Sequence, residues 1–222
     1  MTSDFMYRII QYALNKDQGG YVTPDEFDLI INQAQFSWCQ YLIGEYQQYQ
    51  NQRSQARVSW GQNQNVRESL SPVIYGYILN PDINGLAAYP YDYQKTDAMT
   101  SIYGYNRIRF ASQDRLFSFM NSVIEPIATN PIYLVNDVGF QFYPANIGQA
   151  RLSYVRTPPR IIWGYYLDDN DIPVYDEGQS ANPVWNDVDC LEIIARALRL
   201  VGCNLQSSVV SQYSEQIKNQ GQ

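Results

Sequence analysis

Histidine is absent from this chain of 222 residues, and its absence excludes more chemistry than any motif present supplies. Without an imidazole there is no Ser-His triad, no His-based general acid–base catalysis and no His metal ligand. Cysteine is scarce: Cys39, Cys190 and Cys203 show no C-x-x-C spacing. Cys39 and Cys190 fall inside helix-like patterns, and Cys203 lies just past the end of one. All three read as small buried apolar groups in a reduced compartment. Basic residues are outnumbered 22 to 15, for a formal charge of −7, which does not favour bulk attraction to nucleic acid or acidic membranes. Nowhere are there roughly 18 consecutive apolar residues, so no membrane-spanning helix is expected. Met1-Thr2-Ser3-Asp4 also lacks the basic start and apolar run of a signal peptide.

What is abundant is tyrosine, with 20 residues, alongside many Gln and Asn. Tyr gives large contact area with a polar tip and is enriched at interfaces, although some of these rings are expected simply to line a half-wet sheet.

The stretch Asn15 to Phe27 supports two incompatible readings. As an EF-hand loop it places Asn15, Asp17, Gly19, Gly20, Tyr21, Thr23 and Glu26 at the ligand and turn positions, with Val22 at the apolar one. The candidate calcium ligands are Asn15, Asp17, Tyr21 (through its carbonyl) and Glu26. Asn15 is a neutral amide and Gly19 has no side-chain oxygen, so only Asp17 and Glu26 bring charge. No second loop pairs with it. As a helix–turn–helix junction the same residues need no ion. Gly19 and Gly20 end one helix, and Thr23-Pro24-Asp25-Glu26 starts the next, with Thr23 as cap, Pro24 at the first helical position and Glu26 closing a capping box. The second reading accounts for every feature of the first.

The pattern along the chain is α+β: N- and C-terminal helices forming a helical bundle, with a small antiparallel β lobe inserted in the middle. Residues 1–50 read as a helical hairpin. Its first helix, from Asp4 to Asn15 with Ser3 as cap, has Phe5, Met6, Ile9, Ile10 and Ala13 on one face. Its second, from Pro24, carries Phe27, Ile30, Ile31, Ala34, Trp38, Leu42 and Tyr46. Beyond Gly44 the Gln-rich sequence reads as a protruding end or partner surface. Residues 51–72 read as a polar arm or linker. Residues 73–184 form the β-rich lobe, with strands within 74–93, at 102–110, 132–135, 139–143 and 149–156, a short helix at 113–121 capped by Ser112, and an acidic loop from Asp168 to Glu177. Residues 185–222 hold a helix capped by Asn186, striped with Val188, Leu191, Ile194, Leu198 and Val201 and ended by Gly202, then a last helix from about Ser207 to Lys218.

Tyr12 to Phe27 with Asn32-Gln33-Ala34-Gln35 resembles the opening of virion proteins from crAss-like bacteriophages. Asn130-Pro131-Ile132-Tyr133, Tyr143-Pro144, Leu152 to Pro158 and the closing helix Leu191 to Gly202 resemble later parts of the same group. The layout is similar to head–tail adaptor proteins of short-tailed phages. The resemblance implies a non-enzymatic structural protein of the virion, made in the bacterial host cytoplasm. It implies a homo-oligomeric ring, usually of twelve copies, below the portal protein and against other tail proteins, with DNA only in passage, no cofactor and no catalytic residues to transfer.

Such a ring needs a head-to-tail interface with two complementary faces. Arg107, Arg109, Arg151, Arg156 and Arg160, all assigned to the sheet lobe, offer a basic face. Asp168, Asp169, Asp171, Asp187 and Asp189 offer an acidic one, and the expected contact joins Arg151, Arg156 and Arg160 to Asp168, Asp169 and Asp171. An enzyme of the glycosidase or peptidoglycan-hydrolase type would need paired carboxylates in a cleft. Asp114, Glu125 and Asp137 are the candidates, none in a recognisable motif.

Overall fold

The computed structural model describes residues 1–16, 21–52, 60–102, 106–121 and 125–204. It is a mixed α+β structure that divides into two compact units. One is built from Met1–Pro72 together with the chain from Pro158 onward; the other is Val73–Thr157. The expected lobe boundary at residue 184 thus falls instead at 157.

The first unit holds α1 (Ser3–Lys16), α2 (Pro24–Gln52), α3 (Trp60–Leu70) and α5 (Asp187–Asn204); α3 packs against α2, and α5 packs against both α1 and α2. Helix α3 occupies much of the stretch expected to be a linker; residues 53–59 lie outside the described residues. Helix α1 buries Ser3, Met6, Tyr7, Ile10 and Leu14, a stripe one position away from the expected one, and leaves Phe5 exposed. Its cap is Thr2, whose Oγ1 accepts from Phe5 N at 3.3 Å and whose carbonyl accepts from Met6 N at 3.1 Å. Ser3 is instead wholly buried, its N–H donating to Asn182 Oδ1. Helix α2 buries Phe27, Ile31, Ala34, Trp38, Cys39, Leu42 and Ile43, close to expectation. The last helix expected, from Ser207 to Lys218, lies outside the described residues.

Helix α5 starts as expected, with Asn186 Oδ1 accepting from Asp189 N at 2.8 Å, but it presents a different face. Cys190, Ile193, Ile194, Ala197 and Val201 are buried, while Val188 is 72 % and Leu191 53 % exposed. The helix also continues past Gly202 to Asn204. Arg196 fixes the α2–α5 contact from the rim, its guanidinium carbon 5.0 Å from the Trp38 ring centre and 5.1 Å from that of Tyr41.

The second unit stacks two sheets. One has strand order β1-β7-β3, with β1 (Ile74–Leu79) and β3 (Tyr93–Ser101) both antiparallel to β7 (Ala150–Arg156). The other runs β2-β6-β5-β4, formed by β2 (Leu86–Ala88), β6 (Gly139–Tyr143), β5 (Ile132–Val135) and β4 (Arg109–Phe110), the last pair parallel. Between them lie Leu79, Ala87, Met99, Phe140, Phe142, Leu152 and Tyr154. On the far side of the second sheet, Ile132 and Leu134 meet Leu116 of α4 (Gln113–Met120). The alternation of β5 and β6 thus serves two cores. Ser112 stands at the start of α4 without a side-chain capping bond. Of the strand expected over 102–110, the described residues show β4 and one bridge from Arg107 to Thr100, and it is the polar β3, with β1, that flanks β7.

After Thr157 the chain returns to the first unit, where β8 (Tyr165–Leu167) and β9 (Pro173–Tyr175) make a hairpin in place of the expected acidic loop.

Candidate assembly surfaces

The junction at Thr23 is a capping box. Glu26 Oε2 accepts from Thr23 N and from Thr23 Oγ1, both at 2.9 Å, and Thr23 Oγ1 accepts from Glu26 N at 3.3 Å. These bonds hold the Glu26 carboxyl below its usual range. The residue required as a bidentate calcium ligand therefore already has partners in its own helix start. The Val22 carbonyl accepts from Tyr7 Oη at 3.0 Å, and Tyr21 Oη accepts from Tyr7 Oη at 3.2 Å. The Asn15 side chain and Asp17 lie outside what is described. Among the described residues no group of three or more His, Cys, Asp or Glu is placed to hold a metal.

The five arginines do not share one face. Arg151 and Arg156 are five positions apart on β7, an odd spacing that sends them to opposite sides of the sheet. Arg151 is exposed beside Ile78 and Thr100. Arg156 lies on the side of buried Leu152 and Tyr154, with its guanidinium carbon 4.4 Å from the Tyr75 ring centre. Arg160 belongs to the other unit. Arg109 donates to Asn130 Oδ1 at 2.6 Å, and Arg107 is exposed at its bridge.

The acidic set divides too. Asp168 closes the β8–β9 turn, its Oδ1 accepting from Asn170 N and Ile172 N at 2.9 Å, which lowers its pKa. Asp169 and Asp171 are exposed at the tip, and Asp171 takes a left-handed φ of 58°. Around the tip, Tyr166, Leu167 and Ile172 are exposed. Asp187 meets the Met1 amine. Asp189 is only 3 % exposed and so unavailable to a neighbour. Burial raises its pKa, opposed by Ser69, Trp38 and Asn186 and reinforced by Glu192. Its Oδ2 and the Trp38 Nε1 each lack a hydrogen bond of ordinary geometry.

Of the carboxylates considered for catalysis, Asp114 is exposed in the first turn of α4, Asp137 is exposed at the β5–β6 turn with its Oδ1 accepting from Val138 N, and Glu125 is exposed.

A polar ladder on α2 was not foreseen. Gln35 Nε2 donates to the Pro159 carbonyl at 2.9 Å; Asn32 donates to the Ile161 carbonyl at 2.7 Å and accepts from Ile161 N at 2.9 Å; Asp28 Oδ1 accepts from Trp163 N at 2.8 Å. Four helical residues advance about 6 Å and two extended residues about 6.6 Å, so positions 28, 32 and 35 match alternate residues of the strand-like segment 159–163. Gln35 Oε1 also accepts from Trp185 Nε1 at 3.1 Å. The available signal was the run of amides and an acid on the apolar helix face. Beside this ladder, Asp25, Asp28, Leu29, Arg160 and Ile162 line a cleft of about 460 Å³. Burial, helped by the Asp25 charge and opposed by Trp163 N, raises the pKa of Asp28.

No protein-family model matches the chain, and no curated protein matches it.

Proposed function

We propose that this chain is a structural virion protein: a subunit of a homo-oligomeric ring in the head–tail connector of a short-tailed, crAss-like bacteriophage, below the portal. On this reading the helical unit is the bundle and residues 73–157 are the lobe inserted in it. The observation that carries it is the apolar surface left on both units. Leu29 is 75 % exposed and Val188 72 %, while the second unit exposes Phe110, Phe117, Tyr77 and Ile78. Exposed apolar side chains of this size are the candidates for surfaces that neighbours cover. Division of the chain, with the segments before residue 73 and after 157 in one unit, supports the same reading.

Of the expected charged contact, Arg151 and Arg160 on one side and Asp169 with Asp171 on the other remain exposed. The β8–β9 hairpin joins that acidic tip to an apolar collar and is the better candidate for the surface that enters a neighbouring subunit. Replacing Asp169 and Asp171 by Lys tests it: ring formation, followed by negative-stain microscopy, is expected to fail, and Arg151→Glu in the same chain to restore part of it. Rings unchanged by the double substitution would remove the hairpin from the interface.

A further inference from the structure

The sheet edges in the second unit are unequally guarded. Strand β2 has three residues and β4 two, too short to template another chain. Strand β3 is long, but its pairing with β7 shifts register twice, between Tyr93 and Lys95 and between Thr96 and Ala98, and it carries Lys95 and Asp97. Bulges and charge are the usual devices against edge pairing. Strand β1 has neither. It pairs with β7 in unbroken register over six residues, Ile74-Tyr75-Gly76-Tyr77-Ile78-Leu79, with no charge and no proline. Tyr75 to Ile78 are all exposed, and among the described residues β7 is the one strand that pairs with β1, which leaves β1 at the edge of its sheet.

The sequence of this edge names its occupant. Ile74 to Ile78 reads the same in both directions about Gly76. Laid antiparallel on a copy of itself, Gly76 faces Gly76, each Tyr75 faces a Tyr77 and each Ile74 faces an Ile78. Either parity of hydrogen bonding is satisfied, because a strand centred on its two-fold axis offers the same groups as its partner. No charge is opposed, and Tyr–Tyr and Ile–Ile are favourable cross-strand pairs.

We propose that β1 pairs with β1 of a second copy across a two-fold axis at Gly76, joining the two three-stranded sheets into one of six strands. The contact is isologous and so does not propagate a ring; it is a second self-contact and does not rest on the connector reading. The edge is small beside the roughly 800 Å² per partner of a stable interface, so the pair forms in a concentration-dependent equilibrium.

Gly76 allows a direct test, because a Cβ there meets nothing within 4 Å. Across an antiparallel pair the two Cα atoms stand about 4.5–5.5 Å apart, within disulfide reach. Gly76→Cys, in a Cys203→Ser background, is expected to form a covalent dimer under mild oxidation, whereas Ile83→Cys, on an equally open turn, is not. Gly76→Lys and Gly76→Glu are each expected to lose the two-copy species in sedimentation, and an equal mixture to regain it as a heterodimer. A folded Gly76→Cys that stays uncrosslinked, or charged variants that sediment as the parent does, would overturn the proposal. A closed ring that persists in Gly76→Lys leaves the connector reading standing, and a missing ring with an intact Gly76 crosslink removes that reading alone.

Discussion

Asp189 lies on the buried face of α5, where the apolar pattern does not place it. The sequence of α5 offers Val188, Leu191, Ile194, Leu198 and Val201 as its apolar stripe, yet the helix turns Asp189 and Cys190 inward and leaves Val188 and Leu191 in solvent. Ser69 and Trp38 face the carboxylate, and neither is visible from α5 itself. Because its folded pKa is raised, Asp189 contributes most stability where it is protonated. That contribution is lost as pH rises from about 3.9, where the unfolded chain ionises, through the higher folded value. Asp189→Asn is therefore expected to melt higher than the parent at neutral pH, with the difference closing in acid; thermal denaturation at several pH values checks this, and a difference of opposite sign would contradict it. Thr23 and Glu26, by contrast, were legible, because a capping box is a local pattern. Thr23→Ala should cost about 1 kcal/mol by chemical denaturation. With Glu26 committed to that cap, a calcium titration should give no binding heat; a stoichiometric site would reopen the loop reading.

At the level of elements, pattern reading worked for short apolar strand runs and failed where contacts came from far along the chain. Strands β5, β6 and β7 and the start of α2 follow their periodicity. Strand β3 does not: its register shifts break the period of two, and Tyr93 to Ser101 is polar except for Tyr93, Ala98 and Met99. The β8–β9 hairpin was hidden because its strands have three residues each and its aspartates resemble an acidic loop. The α2 ladder was unreadable for a similar reason, since Asn32 and Ile161 lie 129 positions apart. Ile161 is wholly buried, so without Asn32 its N–H and C=O lose their partner. Asn32→Ala is expected to destabilise by about 1–3 kcal/mol in urea unfolding, against a few tenths for Gln33→Ala on the same helix. Equal, small effects would mean that the ladder only records packing.

At the scale of the whole molecule, the α+β class was anticipated, while the boundary near Thr157 was not. Thr157-Pro158-Pro159 follows the end of β7 and stands where one unit gives way to the other. The charged faces were the least legible feature. Sequence order alone groups Arg107, Arg109, Arg151, Arg156 and Arg160, but only strand parity shows that Arg151 and Arg156 point to opposite sides of β7. The apolar surface that remains, on Leu29, Val188, Leu191 and the β8–β9 hairpin, is what a ring subunit would bury against its neighbours. Native mass spectrometry of the purified chain across a range of concentrations tests this most directly. A closed oligomer of many 25.7 kDa copies, near the twelve usual for such adaptors, is the predicted result. Masses of one or two copies at every concentration would contradict it.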